Sequence, residues 1–414
     1  MKVLHLSTYD DCGGAARAAT RLHRALLAAG VDSRMVVMEK SGDAPATERM
    51  SGRYRSLRDV LRRRYDAWPI RRCSAAKNEP FSVSRTGNAA LRRRIAEIAP
   101  DVVHLHWCQH GFLSIRDLAK IGAPLVWTLH DSWAFTGGCH CPQECLRYRE
   151  KCGDCPILRS GTENDLSRRI FDRKAEVYPR LKGLRIVTPS EWLASSARQS
   201  ALLGGAAVSV VPNALDVERF RPMERMAARS LLGLPRERKL VLFGAMNVLH
   251  DLNKGFDLLQ MALARLEHKE DVELVLFGAS VDEALPELPV PVRNLGVFRD
   301  DAALCALYNA CNVMVVPSRQ ESQCQTATEA LACGTPVVAF RASGVQEVVA
   351  HGEDGYLAEP FDAADFAHGI EAMLNAADAA RLRERAREEA VRRFAFDVVA
   401  PQYERIYRDL LSKS

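Results

Sequence analysis

Short apolar runs alternate with longer amphipathic stretches along the whole chain, which is the pattern of parallel sheets covered by helices. In the first half, strands are predicted at residues 3–7, 35–38, 102–106, 125–129 and 185–188. A helix is predicted at residues 15–29, where Gly30 is suited to end it as a C-cap. In the second half, strands are predicted at residues 208–211, 240–243, 273–277, 313–316 and 336–340. The pattern therefore predicts an α/β protein.

The restart of this alternation divides the chain into two domains. A length of 414 residues fits two domains of about 200 residues each. We expect one domain over residues 1–210 and the other over residues 211–414. The charged, helical stretch from residue 378 to the end of the sequence either continues the second domain or crosses back onto the first.

The composition is that of an ordinary globular protein, with 47% hydrophobic and 26% charged residues. No run of about 18 apolar residues is present to span a bilayer. The first residues resemble a strand rather than a secretion signal, which predicts a cytoplasmic protein. Twelve cysteines without an export signal favour reduced thiols or metal ligands over disulfides.

Two acidic residues, Glu321 and Glu329, follow the predicted strand at residues 313–316. In an open parallel sheet, ligands bind beyond the carboxyl ends of the strands, where a helix that begins there presents free amides to an anion. We expect this loop to bind a phosphate and Glu321 to accept a hydrogen bond from a sugar hydroxyl. Glu329, about two turns into the helix, is expected to accept from the hydroxyls of a ribose. The alternative is a pair of solvated helix residues.

This segment resembles the E-x7-E signature of the family 4 retaining glycosyltransferases, which have the two-domain GT-B fold. The similarity extends to Asn253-Lys254-Gly255, Gly296-Val297-Phe298 and Gly344-Val345-Gln346-Glu347. It implies two doubly wound, Rossmann-like domains that face each other across a cleft, with the nucleotide-sugar bound by the second. The donor contacts that it implies come from Val297, Phe298, Glu321, Cys324, Gln325, Thr326 and Glu329.

Lys254 lies between a predicted strand and an apolar-periodic helix, so its ammonium is suited to face a diphosphate. An exposed lysine beside the helix-starting Gly255 is the alternative. In the family, this lysine pairs with an arginine just after the preceding strand, but the matching residue here is Ala245. The resemblance therefore implies one phosphate contact fewer than the family pattern.

The first domain has two candidate features at the ends of its strands. Gly13 and Gly14 follow the first strand, where small residues let a ligand approach the backbone closely. The resemblance implies that they lie near the donor phosphates or the acceptor. They do not form the G-x-G-x-x-G of dinucleotide oxidoreductases, and a plain strand-to-helix turn is the alternative. His130 follows the strand at residues 125–129 and is a candidate hydrogen-bond donor to the sugar or acceptor. A family histidine there contacts the donor sugar, and a structural histidine is the alternative; His104 and His106 are interpreted as packing and loop-orienting residues.

By the resemblance, the chain is a retaining, hexosyl-type glycosyltransferase. A UDP- or GDP-linked donor gives its sugar to a polyprenyl-diphosphate-linked or glycan acceptor, in exopolysaccharide or surface glycan synthesis. Members of the family are thought to let the departing phosphate oxygen take the acceptor's proton, so neither an enzyme base nor a metal cofactor is required. Catalysis then rests on Lys254, Glu321, His130 and helix amides. The alternatives are a catalytically silent nucleotide-sugar-binding protein of the same fold, or a sugar epimerase or phosphorylase.

Five cysteines fall within residues 139–155. Because tetrahedral zinc takes four soft ligands, we expect a structural zinc site at Cys139, Cys145, Cys152 and Cys155, with Cys141 extra. Reduced structural cysteines or a redox pair are the alternatives. The segment also resembles that of a family subgroup from exopolysaccharide pathways, which includes colanic-acid-type transferases.

Residues 52–100 carry thirteen basic side chains against four acidic ones. Between Arg53 and Arg72, basic residues alternate with aromatic and aliphatic ones, as in an interfacial helix. We expect a peripheral contact with the anionic inner face of the cytoplasmic membrane, and an ordinary solvated helix is the alternative. No nucleic-acid recognition motif accompanies the charge, which disfavours a nucleic-acid partner.

Overall fold

The computed structural model describes residues 1–50, 57–71, 73, 80–244, 249–282, 285–298 and 300–413. These residues form two compact units. The first unit comprises Met1–Pro212 together with Val399–Ser414, and the second comprises Asn213–Val398. The end of the sequence therefore belongs to the first unit.

The first unit contains a seven-stranded parallel sheet with the strand order β3-β2-β1-β4-β5-β6-β7. The order reverses between β1 and β4, which is where ligands bind in doubly wound sheets. Its strands are β1 (Lys2–Tyr9), β2 (Asp32–Glu39), β3 (Thr47–Arg49), β4 (Val102–Leu105), β5 (Leu125–Thr128), β6 (Leu184–Thr188) and β7 (Ala207–Val210). Its helices are α1 (Gly14–Ala28), α2 (Leu57–Arg71), α3 (Ala89–Ile98), α4 (Ile115–Leu118), α5 (Leu166–Val177) and α6 (Glu191–Arg198).

The second unit contains a six-stranded parallel sheet with the order β10-β9-β8-β11-β12-β13. Its strands are β8 (Lys239–Gly244), β9 (Val272–Phe277), β10 (Val292–Asn294), β11 (Val313–Val316), β12 (Val337–Phe340) and β13 (Gly355–Ala358). The helices from here to the end of the chain are α7 (Arg225–Leu232), α8 (Phe256–Ala264), α9 (Asp301–Ala310), α10 (Gln325–Ala332), α11 (Ala363–Leu374), α12 (Ala379–Phe394) and α13 (Phe396–Leu411).

Alternate residues of β11 belong to two different hydrophobic clusters. Met314 and Val316 pack into one cluster, and Val313 and Val315 pack into the other. Since successive strand residues point to opposite faces, both faces of this sheet are covered. Such a strand has a continuous apolar sequence, which explains why it was predictable.

The expected class, two doubly wound α/β sheets, is confirmed. The prediction that residues 208–211 open the second sheet is wrong, because β7 pairs with β6 at the edge of the first sheet. The sequence interpretation also missed β3, β10 and β13, which are edge strands of three or four residues and too short to show a period. Among the described helices, none is both long and apolar enough to cross a bilayer.

Candidate active site

Lys254 and Glu321 form an ion pair in the second unit, with 2.8 Å between Nζ and Oε1. Their side chains are only 22% and 15% exposed. Burial by itself would lower the pKa of Lys254, but the Glu321 carboxylate raises that pKa above its usual range. The lysine is therefore a charged, partly desolvated cation held by an acid, and the structure brings together these two predicted residues.

A glycine allows the loop before α8, which carries Lys254, to contact the loop after β11, which carries Glu321. Gly255 has φ +70°, and a Cβ at this position would overlap the carbonyl oxygen of Pro317. Only glycine therefore permits the start of α8 to approach the end of β11. Asn253 Nδ2 donates to the Gln320 carbonyl at 2.7 Å, which fixes the approach.

The N-terminus of α10 lies near the Lys254–Glu321 pair. Cys324, the residue before the helix, has φ +78°, which is strained for a residue with a Cβ, and no side chain caps the helix. Burial and the Glu321 charge raise the pKa of the Cys324 thiol to about 12, while the nearby Lys254 ammonium opposes that rise. The ammonium and the positive end of the helix dipole thus act on the same region, together with the first-turn residues Gln325 and Thr326.

Glu329 is the fifth residue of α10, so it lies little more than one turn into the helix rather than the predicted two. Its side chain is 2% exposed. The fully buried Tyr308 hydroxyl donates to Glu329 Oε2 at 2.6 Å. Sequence reasoning gave Tyr308 no role, although a tyrosine in the largely apolar α9 is a signal for a buried polar partner.

Val297 and Phe298 follow β10 in the second unit. Val297 is 63% exposed, whereas Phe298 packs edge-on against Phe277 with 6.4 Å between ring centroids. Gly296 precedes them with φ +75°. Phe298 thus anchors the segment, and the preceding Val297 is exposed to solvent. Ala245, the residue at the family's arginine position, lies outside the described residues.

Gly13, Gly14 and His130 lie in the first unit. Gly13 has φ +90° and precedes α1, which begins at Gly14 without a capping side chain, so its free amides suit an anion. His130 follows β5, and its Nε2 lies 3.0 Å from His106 Nδ1. Burial lowers the pKa of His130 to about 4, against the opposing charge of Asp131. His130 is therefore neutral at pH 7.

The cysteine segment is part of the apolar core of the first unit. Cys139, Cys152 and Cys155 are buried, and Cys145 is half-buried. Burial raises the pKa of Cys152 to about 12, although the Gly137 amide donates to its Sγ at 3.1 Å. Among the described residues, the four predicted zinc ligands do not form a group with all ligand atoms within 4.8 Å of one another. Zinc binding by these four thiols stays a prediction.

The family described as Glycosyltransferase Family 4 matches residues 12–219, half of the chain. The chain belongs to this family. A second family, described as Glycosyl transferases group 1, matches residues 237–376, which include Lys254, Glu321 and Glu329. The family 4 resemblance is thereby confirmed.

Two relatives of this family 4 glycosyltransferase are D-inositol 3-phosphate glycosyltransferases. The D-inositol 3-phosphate glycosyltransferase 2 of Catenulispora acidiphila is 36% identical over 186 residues, which cover 41% of this chain and 43% of the relative. The D-inositol 3-phosphate glycosyltransferase of Xylanimonas cellulosilytica is 31% identical over 326 residues, or 72% of this chain and 70% of the relative. The chain thus spans less than half the length of the first relative and about two thirds of the second.

Solved structures show the fold. Sucrose-phosphate synthase from Thermosynechococcus elongatus matches with a TM-score of 0.72 at 21% identity, covering 100% of both chains. HepE from Anabaena, solved in complex with UDP-glucose, matches with a TM-score of 0.64 at 18% identity, covering 99% of this chain and 100% of that one. Both units of the family 4 chain thus have the architecture of GT-B glycosyltransferases.

Proposed function

We propose that the chain is a retaining glycosyltransferase that takes a hexosyl group from a UDP- or GDP-linked donor bound by the second unit. The observation that carries this proposal is the Lys254–Glu321 pair beside the uncapped start of α10. A diphosphate needs a cation and free amides, and a sugar hydroxyl needs a carboxylate acceptor. The UDP-glucose bound to HepE supports a nucleotide-sugar donor.

In the proposed reaction, the bond between the anomeric carbon and the diphosphate oxygen breaks, and a bond to the acceptor oxygen forms on the same face of the sugar. The acceptor's proton passes to the departing phosphate oxygen. Lys254 and the amides of Gln325 and Thr326 stabilise the charge that develops on the leaving group. The scheme uses neither an enzyme base nor a metal, so we expect transfer to persist in EDTA.

Product analysis tests the proposal. With a panel of UDP- and GDP-sugars, nucleoside diphosphate should be released only when an acceptor is added, and Glu321→Gln should lower kcat by about a hundredfold. Glu353→Gln, which changes an exposed acid of the same unit, is the matched control and should leave kcat unchanged. If neither the unsubstituted protein nor the Glu353→Gln control releases nucleoside diphosphate, the chain is a silent binding protein. A changed sugar without any acceptor would indicate an epimerase.

The relatives favour an inositol phosphate as the acceptor, since both are D-inositol 3-phosphate glycosyltransferases. They give no support to the exopolysaccharide subgroup. A polyprenyl-diphosphate-linked acceptor is the second candidate, because one observation favours it: the exposed face of α2. Adding each acceptor class separately to the product analysis decides between them.

The exposed face of α2 combines large apolar and basic side chains. Leu57, Leu61, Tyr65 and Trp68 are 74%, 54%, 60% and 46% exposed, respectively. Helical spacing aligns them with exposed arginines at Arg58, Arg64 and Arg71. We propose that this face contacts an anionic lipid surface.

Two arginines of the same segment do not belong to this face. Arg62 donates to the Gly111 carbonyl, and Arg63 pairs with Glu39. They are structural residues, so the proposed lipid contact concerns one side of α2 only. Residues 52–56, 72 and 74–79 of the basic stretch lie outside the described residues.

Vesicle flotation tests this contact. The protein should bind vesicles that contain phosphatidylglycerol and should not bind pure phosphatidylcholine, and salt should weaken binding. Trp68→Ser should reduce binding, whereas Leu231→Ser, at an exposed leucine of α7, should not. Equal loss in the two variants, or equal binding to both vesicle types, would contradict the proposal.

A further inference from the structure

One face of the first sheet carries a buried row of histidines. His5 on β1 is paired in register with His104 on β4, while His106 directly follows β4. All three are at most 2% exposed. The opposite face of β1 is apolar, since Leu4 and Leu6 pack into the main core. Buried polar rings persist only where hydrogen bonds satisfy them, so their bonding pattern has to be followed in full.

Two of these rings, His5 and His106, form a hydrogen-bonded chain with the catalytic candidate His130. His5 Nδ1 lies 2.9 Å from His106 Nε2, and His106 Nδ1 lies 3.0 Å from His130 Nε2. At the inner end of the chain, His5 Nε2 is buried and has no hydrogen-bond partner within the described part of the protein. At the outer end, His130 is only half-buried.

The same histidines resemble a metal site only superficially. His5, His104 and His106 do have ligand atoms within 4.8 Å of one another. However, His104 already uses both ring nitrogens, bonding the Tyr407 hydroxyl at 2.7 Å and the Thr128 hydroxyl at 2.8 Å. The His104 and His106 rings are also stacked, with centroids 4.2 Å apart, whereas a metal lies in the plane of each imidazole that binds it.

Each ring in the chain is neutral. Burial, and then the neighbouring His104 and His23, hold the pKa of His5 well below its usual range. Burial and the surrounding histidines do the same for His106. The pKa of His130 is also low, despite the nearby Asp131. A neutral imidazole has one N–H and one acceptor nitrogen, so the whole chain can point in only two directions.

The buried end decides between these directions. If the chain pointed inward, His5 Nε2 would carry a buried N–H with no acceptor, which is rare and costly in proteins. If it points outward, the same nitrogen holds only an unused lone pair. His5 then donates from Nδ1 to His106, and His106 donates from Nδ1 to His130 Nε2.

We infer that His5 and His106 are positioning residues that fix His130 in the tautomer with its proton on Nδ1. His130 then offers a ligand an N–H donor and cannot serve as a general base. This role suits a sugar hydroxyl, and it agrees with a reaction in which the leaving group takes the acceptor's proton. The nature of the ligand rests on the proposed function, whereas the tautomer does not.

Histidine side-chain NMR on the ¹⁵N-labelled, ligand-free protein reads the tautomer directly. The proposal predicts that His130 and His106 both carry their proton on Nδ1 near pH 7. A proton on His130 Nε2 would overturn it. This readout does not depend on transferase activity, so the inference and the proposed function fail separately.

Variants of His106 test its positioning role. His106→Phe removes the donor to His130 and should lower kcat about tenfold, the factor that one ordinary hydrogen bond is worth. The Kd of UDP, which carries no sugar, should stay the same. His106→Asn can donate from its side-chain amide and should restore the Nδ1–H tautomer and most of kcat.

His104→Phe is the matched control, because it removes an equally buried histidine outside the chain. It should leave the tautomer of His130 unchanged and kcat close to that of the unsubstituted protein. If His104→Phe shifts the tautomer, or if His106→Asn behaves like His106→Phe, the positioning role is wrong.

Discussion

At the scale of single residues, the candidate site depends on partners that satisfy buried charges. Lys254 is paired with Glu321, and one oxygen of Glu329 is held by the Tyr308 hydroxyl. Each partner orients the functional group before any ligand binds, which lowers the cost of ordering on binding. The site residues are therefore held as pairs.

Glu329→Ala should weaken nucleotide-sugar binding by about 1 to 3 kcal/mol, because charge-assisted hydrogen bonds to the ribose would be lost. Tyr308→Phe should cost less than Glu329→Ala, since it removes only the group that orients the carboxylate. Calorimetry with the same UDP-sugar measures both. Unchanged affinity in Glu329→Ala would remove this residue from the site.

The sequence predicted the chemical types at the site and not their partners. The spacing of Glu321 and Glu329, and the lysine before a glycine, follow directly from the chain. The contact of Tyr308 with Glu329 and that of His106 with His130 join residues 21 and 24 positions apart. Such contacts depend on how helices and strands pack, which a single sequence does not specify.

At the scale of elements, the loop before β13 in the second unit contains a buried carboxylate whose ionisation is unfavourable. Asp354 is fully buried before β13, where Oδ1 accepts from the Ala350 amide at 2.8 Å and Oδ2 has no hydrogen-bond partner within the described residues. Burial raises the pKa of Asp354 to about 7. The folded state therefore binds more protons than the unfolded state between about pH 4 and pH 7.

The stability of the protein should consequently fall as pH rises through this window. Asp354→Asn removes the titrating group and should raise the free energy of unfolding by ~2 kcal/mol at pH 8, with little effect at pH 4. Urea unfolding at the two pH values measures the difference. An equal effect at both would show that Asp354 is ionised throughout.

The cysteine segment between β5 and α5 is a second element whose role can be measured. Zinc at Cys139, Cys145, Cys152 and Cys155 stays a prediction, and it requires one metal ion per chain in elemental analysis of the purified protein. Cys145→Ser should then release the metal, whereas Cys141→Ser should not. Protein without stoichiometric metal would contradict the zinc site and leave reduced structural cysteines or a redox pair.

The elements themselves were predictable to different degrees. β11 and β12 are buried on both faces, so their sequences are continuously apolar. The strand at β7 is half-exposed along its length, and its sequence does not reveal the sheet to which it belongs. Pairing at a sheet edge is decided by tertiary contacts rather than by the strand's own residues.

At the scale of the whole molecule, alternation of strands and helices was enough to predict two doubly wound sheets. It was not enough to place the final helix. The sequence left α13 open between the two domains, and the structure assigns its residues from Val399 onward to the first unit. There Tyr403 and Tyr407 bond Thr128 and His104, respectively, on the histidine-bearing face of the sheet.

The second unit is proposed to bind an activated sugar through a lysine, two acids and a helix N-terminus. Crystals soaked with UDP-glucose, or with the corresponding GDP-sugar, would show these contacts. We expect the diphosphate beside Lys254 Nζ and the first amides of α10, with the ribose hydroxyls bound to Glu329. The proposal is contradicted if the nucleotide binds elsewhere, or if Lys254 and Glu329 have no contact with it.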